Sequence, residues 1–427
     1  MEVVPRKRRP YSTLEKLEMK KTLVALAALA SVSAFADVVI TGGFDVGYRS
    51  TTAGNATEKT AKLITNNNAY TSQIDFVVTE DLGGGLKAIA YAEADFNPAK
   101  PSVANASTTN NGYWYTGQFF NSEQYVGVSS ASMGTLKLGA PNSEFLNAQG
   151  KLQPFGTALG GGYSDTFGRM GAVGTVGISG YIGNATTARV IRNERTIKYD
   201  SPVMNGAQVI VEYQPGNAQA TGTTATSATT GTSYASNNNA WSATTLNYGN
   251  GPLTLTYTTG QISAGANAAS GAYKPGTTSL NSGLTAGNLT ANNSVAYTQY
   301  GGNYDVQSNL KVYLGFSTTK STNTTASATS TDVENSQSAN VAVKYTAGQV
   351  DYLFNRVNRT SNLTSDTVGA PNGNSTLTGA GINYNMSKTT MAYVRYEKAS
   401  NVVTIAGAST NTYGAQTITA VGLLVKF

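Results

Sequence analysis

The residues in this chain able to do chemistry are carboxylates, lysines, arginines, hydroxyls and amides, because its 427 residues contain neither Cys nor His. Without imidazole there is no Ser-His or Asp-His machinery, no imidazole ligand and no ordinary base near neutral pH. Without thiols, disulfides and thiolate metal sites are excluded too. No catalytic, cofactor or metal site is expected. What the charged residues share is their spacing. Lys87, Tyr91, Glu93 and Asp95 alternate with Leu86, Ala88, Ala90, Ala92, Ala94 and Phe96, and Lys311, Tyr313 and Ser317 alternate with Leu310, Val312, Leu314 and Phe316. Lys137, Lys198, Lys344 and Arg395 hold the same parity in other runs, with Asp75, Glu194 and Asp351 as acidic counterparts. On a β-strand each such set lies along one face. The chemistry open to them is electrostatic: a field of both signs over a polar surface, or plain solvation and mutual pairing.

The elements that must carry these faces are strands. Charged residues make up only 12% of the chain, while 46 Gly, 25 Tyr and long Asn/Ser/Thr tracts favour sheet and turn over solvated disorder. Sixteen strand-like runs follow one another, from Val38–Tyr48 and Tyr70–Glu80 to Thr376–Asn385, Thr390–Glu397 and Gly414–Phe427. Short turns such as Asp81–Gly85 and Ala131–Gly134 alternate with long polar loops such as 216–240 and 261–292. The segment from Pro141 to about Gly174 interrupts the series and reads as a long loop without strands.

From Met19 the sequence reads as a secretory leader: Lys20 and Lys21, an apolar run from Thr22 to Val32, and an A-x-A site at Ala34–Ala36, with Asp37 expected as the first mature residue. Residues 1–18 read as an extension, either a start codon placed too early or, through Arg6–Arg9, a twin-arginine or nucleic-acid patch. Removing residues 1–36 leaves 22 Lys/Arg against 20 Asp/Glu, so the net charge of +6 falls to +2 and gives no argument for nucleic acid. The remainder, 37–427, has no apolar stretch of the roughly 20 residues that a spanning helix needs. In a membrane it would have to be a closed barrel, the one strand structure that satisfies every backbone group in lipid.

The last run, Gly414–Phe427, carries Thr417, Thr419, Val421, Leu423, Val425 and Phe427 on one face and Ile418, Ala420, Gly422, Leu424 and Lys426 on the other. A strand ending a chain on an aromatic resembles the assembly signal of outer-membrane β-barrels. Three further segments resemble the general porins of β-proteobacteria and Neisseria. They are Asp37-Val-Val-Ile-Thr-Gly42, the hairpin Gln124-Tyr-Val-Gly-Val128 to Gly134-Thr-Leu-Lys-Leu-Gly139, and Arg192-Asn193 through Lys198-Tyr-Asp-Ser-Pro202.

The resemblance implies an all-β fold, a 16-stranded antiparallel transmembrane β-barrel of the bacterial outer membrane. It also implies a homotrimer, with a third loop folded inward as a constriction. Here that loop is 141–174, with Glu144, Lys151, Asp165 and Arg169 as candidate constriction residues. Lys87, Glu93, Asp95, Lys137, Lys198, Lys311 and Arg395 are candidate pore-wall residues, and Phe427 is the candidate assembly signal. The implied partners are outer-membrane lipid and lipopolysaccharide, the barrel-assembly machinery, and small hydrophilic solutes and ions. No cofactor is implied. The chain departs from the family at Glu123, where Arg is common, and at Ala140 and Pro141, where the family places Arg and a polar residue. The implied function is general diffusion through a water-filled channel; a substrate-specific uptake channel and an adhesive or structural envelope barrel are the alternatives. Basic wall residues facing loop acids across the neck would set a transverse field. Neutralising Glu144 and Asp165 together is then expected to move the reversal potential in a salt gradient toward anions.

Overall fold

The computed structural model describes residues 36–53, 60–99, 119–161, 192, 195–215, 239–264, 294–322, 334–363, 373–406 and 410–427. Residues 1–35, and with them nearly all of the extension and leader, lie outside these, as do Asp165, Arg169 and Glu194. The wall begins with β1 (Asp37–Ala53), β2 (Ala61–Thr65), β3 (Gln73–Gly83), β4 (Leu86–Asp95), β5 (Gln124–Ser130) and β6 (Gly134–Ala140). Two short helices follow, α1 (Glu144–Asn147) and α2 (Gln149–Leu152). The wall resumes with β7 (Thr196–Asp200), β8 (Ala207–Gln214), β9 (Asn239–Asn250), β10 (Leu253–Ala264), β11 (Ser294–Gln307) and β12 (Leu310–Thr322). It ends with β13 (Glu334–Ala347), β14 (Val350–Leu363), β15 (Gly373–Asn385), β16 (Thr390–Ala406) and β17 (Thr410–Lys426).

Each wall strand pairs antiparallel with its neighbours, and β17 returns to β1 with Val425 opposite Phe44 and Val421 opposite Tyr48. Both β2 and β3 pair with β1, Thr65–Ala61 against Gly47–Thr51 and Thr79–Gln73 against Asp37–Gly43. They are two halves of one wall position, so the described segments form a closed barrel of 16 strands. The chain leaves the wall between them at 66–72, which sequence periodicity folds into the start of a strand at Tyr70. The expected run Arg192–Asp200 also shortens to Thr196–Asp200, with Arg192 held apart in an isolated bridge to Asn142. Several strands instead outrun their expected ends. β11 continues past Tyr300, where the alternating run from Ser294 ends, through Gly301-Gly302-Asn303, because both neighbouring strands pair with it there.

The faces are inverted relative to a soluble sheet. Outward residues such as Leu246, Leu314, Val341, Ile382, Val394, Val421 and Leu423 are exposed, whereas inward Thr258, Gln299, Asn355, Arg359, Arg395 and Glu397 are buried. An apolar belt of that extent outside a polar interior is the pattern of a strand-built membrane protein. No described helix is long and apolar enough to cross a bilayer. The tight connections lie at the end where β1 starts and β17 stops; Gly84 (φ +61°) and Gly85 (φ +80°) turn β3 into β4 in a backbone region that side chains resist.

Phe44, Tyr48, Tyr213 and Tyr396 sit on outward parities. Phe96 lies one residue past β4, its ring 5.0 Å from Phe44. Placing Arg at outward Leu314 should cost about 2–4 kcal/mol of unfolding free energy in lipid vesicles, read by urea titration, as for a cation forced into hydrocarbon. An unchanged midpoint would put that face elsewhere than in lipid.

Candidate functional site in the barrel lumen

The segment after β6 folds into the barrel and stays against its inner wall. It starts at a clamp: the Asn142 backbone N–H and side-chain amide donate to the two carboxylate oxygens of Glu123 at 2.8 and 2.7 Å, while Arg192 Nε donates to Asn142 Oδ1 at 2.8 Å. Glu123 thus uses its charge to hold the entry of the loop. Burial pushes its carboxyl above the usual range, and the Asn142 amide and the Arg192 charge draw it partly back.

Ser143 caps α1, its hydroxyl accepting from the Leu146 N–H. Helices this short have no stability of their own, so their position comes from the wall. Phe145 packs edge-on against Trp241 and Tyr297, with ring centroids 5.8 and 6.2 Å away. Glu144 meets Lys198 at 2.6 Å, and Lys198 also lies 3.7 Å from Glu212, all three buried. Glu212 accepts from the Glu144 backbone N–H at 2.7 Å and from Trp241 Nε1 at 3.1 Å. Burial alone would raise the Glu144 carboxyl, but the Lys198 ammonium outweighs it and holds the group below its usual range. Loop acid and wall base therefore touch, where the sequence suggested they would face each other across an opening.

Farther along, wall asparagines take the loop's backbone carbonyls. Asn303 Nδ2 donates to Lys151 O at 2.9 Å, Asn340 Nδ2 to Leu152 O at 2.8 Å and Asn355 Nδ2 to Gly160 O at 3.2 Å. Lys151 Nζ returns a bond to Asn247 Oδ1 at 2.7 Å, and burial pulls its ammonium below the usual range against the opposing charge of Glu144. These amides do for α2 and the turn after it what capping does elsewhere, since a helix leaves its last carbonyls unpaired. The wall also makes room. A side chain at Gly379 would collide with the Gly160 carbonyl, and one at Gly315 or Gly301 would meet Leu152.

The far end of the described stretch, its tip at residues 158–160, lies on the far side. Gly160 N–H donates to Glu397 Oε2 at 2.8 Å, Leu159 N–H to Asn68 O at 3.1 Å, and the Leu159 side chain packs on Ile418 and Ala420 of β17. The small and apolar residues on the inner parity of β17 are thus explained by this packing: they are the seat of the tip. Arg395 lies over the rings of Phe155 and Tyr393, 5.8 and 5.3 Å from their centroids.

The remaining wall candidates divide by neighbourhood. Lys137 pairs with Asp200 at 2.7 Å, Lys311 with Asp305 at 3.2 Å and Lys344 with Asp351 at 3.4 Å, so these bases are matched by acids of adjacent or nearby strands. Lys87 is exposed near the short-turn end, opposite Ser129. Glu93 and Asp95 are buried with Asp75, which stands directly opposite Glu93 in register. Glu93 accepts from Ser122 Oγ at 2.6 Å and Tyr91 OH at 3.3 Å, and Thr41 Oγ1 donates to Asp75 at 3.3 Å. Sequence reasoning missed the asparagine clasps and the residues Asp45, Arg49, Asn68 and Tyr393. A usable signal was present, since Asn is disfavoured in strands yet recurs on the inward parity at Asn247, Asn303, Asn340, Asn355 and Asn383.

Comparison with known proteins agrees with this architecture. The chain is 28% identical over 201 residues to the major outer membrane protein P.IB of Neisseria gonorrhoeae, covering 46% of this chain and 49% of that one. It is 26% identical over 271 residues to an outer membrane porin protein of Bordetella pertussis, covering 59% and 62%. It therefore spans about half to three fifths of the length of these relatives. The fold of an anion-selective porin from Comamonas acidovorans superposes with a TM-score of 0.64 at 17% identity, over 92% of this chain and 100% of the other. The family model described as Gram-negative porin matches residues 22–403, and with the closed barrel, polar interior and inserted segment this makes the chain a member of the Gram-negative porin family.

Proposed function

We propose that the protein is a general diffusion porin of the outer membrane, a water-filled channel that passes ions and small hydrophilic solutes by size and charge. The observation carrying this reading is the closed barrel with a polar interior, narrowed by a segment bound to its inner wall. In this reading 141–174 is the constriction loop. Glu144 and Lys151 belong to its docked part, and Asp165 and Arg169 to the same segment outside the described residues. No bond chemistry is needed; the work is done by the width of the neck and the field across it.

The acids gathered on β3 and β4 favour cations over that part of the wall. Lys137, Lys198, Lys311 and Lys344 are compensated by acids in contact, whereas Asp75, Glu93 and Asp95 cluster on β3 and β4, with Glu123 in place of a family arginine. An uneven field of this kind enriches the counter-ion at the neck. The test is planar-bilayer recording of purified protein under a potassium chloride gradient. A cation-sided reversal potential is expected, with a shift toward anions in the double variant Glu93→Gln, Asp95→Asn. No channel would end the porin reading, and a reversal potential unmoved by the double variant would remove this cluster from the permeation path.

The Glu144–Lys198 pair is read as an anchor for the loop. Lys198→Met strands two buried carboxylates, a loss of about 3–5 kcal/mol if the loop stayed docked. The loop is therefore expected to release, and single-channel recording should show larger and noisier openings.

The C-terminal residue is read as the assembly signal toward the barrel-assembly machinery. Phe427 exchanges backbone bonds of 3.2 Å with Gly42, and its ring lies 6.0 Å from Phe44 on the outer surface. Around these rings, with the outward small residues Ala88, Ala90 and Ala92 of β4, the wall offers a flat seam for the homotrimer, and lipid with lipopolysaccharide would cover the rest. Deleting Phe427 should sharply lower the yield of folded, heat-modifiable barrel in the outer membrane, while trimers that do form conduct normally.

A further inference from the structure

The break between β2 and β3 brings a second piece of chain into the lumen. At 66–72 the chain turns inward and is held by one carboxylate. Asp45 Oδ2 accepts three consecutive backbone N–H groups, from Asn68 at 2.6 Å, Ala69 at 2.8 Å and Tyr70 at 3.1 Å. Successive N–H groups converging on one oxygen form an anion nest, here filled by a wall side chain. Ser72 joins from the other side, its hydroxyl accepting from the Asp45 N–H at 2.9 Å and donating to Asp45 O at 3.2 Å. Arg49 completes the cradle: Nε donates to Asn68 Oδ1 at 2.8 Å, and a terminal nitrogen to the Asn66 and Asn67 carbonyls at 3.1 and 3.2 Å.

Tyr393 ties this turn to the seam where the barrel closes. It projects from β16, crosses β17 and reaches β1, with its hydroxyl donating to the other Asp45 oxygen and accepting from Asn68 Nδ2 at 3.2 Å. The crossing is open to it because Gly422 and Gly47 face each other in register across the β17–β1 pair. A Cβ at Gly47 would come 2.6 Å from the Tyr393 hydroxyl, and one at Gly422 would meet the same ring. Tyr393 is buried to 2% exposure and Asn68 to 0%. The Asn68 carbonyl then receives the Leu159 N–H, which makes the turn the far support of the constriction loop.

We infer that Tyr393 is a positioning residue for the neck. Through Asp45 and Asn68 it fixes the inward turn 66–72 on which the loop tip rests, so the closing seam of the barrel sets the stability of the constriction. This inference rests on the porin reading of the lumen. Glu397, Asn355 and the Ile418–Ala420 seat hold the other sides of the tip, so removing one bond should loosen it without expelling it. Loss of a single buried hydrogen bond of about 1 kcal/mol changes an open-to-docked ratio by roughly five- to tenfold.

The test uses Tyr393→Phe, which keeps the ring in its slot and removes only the hydroxyl, and Asn68→Ala, which leaves the Asp45–Tyr393 contact in place. Both proteins are checked for heat-modifiable folded barrel, then recorded as single channels with and without polyethylene glycols of graded size. The expected result is brief transitions to a larger conductance roughly five- to tenfold more frequent than in the parent, and a raised exclusion limit for the polymers, in both variants. Lys62→Ala, on β2 and outside the cradle, should behave as the parent. Should Tyr393→Phe fail to fold, Asn68→Ala alone decides by the same readout. Parent-like noise and exclusion limit in the folded variants would overturn the inference while leaving the porin reading intact; a parent protein that forms no channel would instead remove the reading beneath it.

Discussion

A backbone crossing hydrocarbon has no water to bond, so every N–H and C=O within the bilayer must find a partner in the protein. This constraint governs the whole molecule. It forces β17 to return to β1, since an open sheet would leave two unpaired edges in lipid. It also sets the direction of each side chain, because once the ladder is closed the alternating faces have only lipid or lumen to choose between. The apolar parity of Leu314, Val341, Val421 and Leu423 follows from that choice, as does the buried polar parity of Thr258, Gln299, Asn355 and Glu397.

Closure creates a second problem inside. The described part of the inserted segment carries two single-turn helices and a run of turns, whose end carbonyls find partners on the wall. The wall answers with amides that accept or donate as required, with glycines where the loop must come close, and with two apolar seats, Trp241–Tyr297 for Phe145 and Ile418–Ala420 for Leu159. Charge serves the same end. Lys198 lies between Glu144 and Glu212, and Glu123 grips Asn142, so groups that could have faced open water are spent on fixing the loop.

The inward turn at 66–72 joins the two problems. Asp45 and Tyr393 are wall residues on either side of the closing seam, and their joint partner Asn68 touches the loop tip. Closure of the barrel and narrowing of its lumen are therefore mechanically continuous here.

Much of this was legible beforehand. Period-two alternation gave the sixteen wall positions, because the pleat of a strand fixes parity locally. The absence of Cys and His excluded whole classes of chemistry, and the lack of a long apolar run left only a closed barrel as a way to cross. What sequence could not decide was pairing at a distance. Whether Glu144 would face Lys198 or touch it, which asparagines would hold the loop, and that Gly47 and Gly422 would open a path for Tyr393 all depend on register around a closed ring. Residues 45 and 68 meet within the first strands and 393 and 422 within the last hairpin, but the two groups meet each other only when that ring closes, and no local pattern in the chain encodes the closing register.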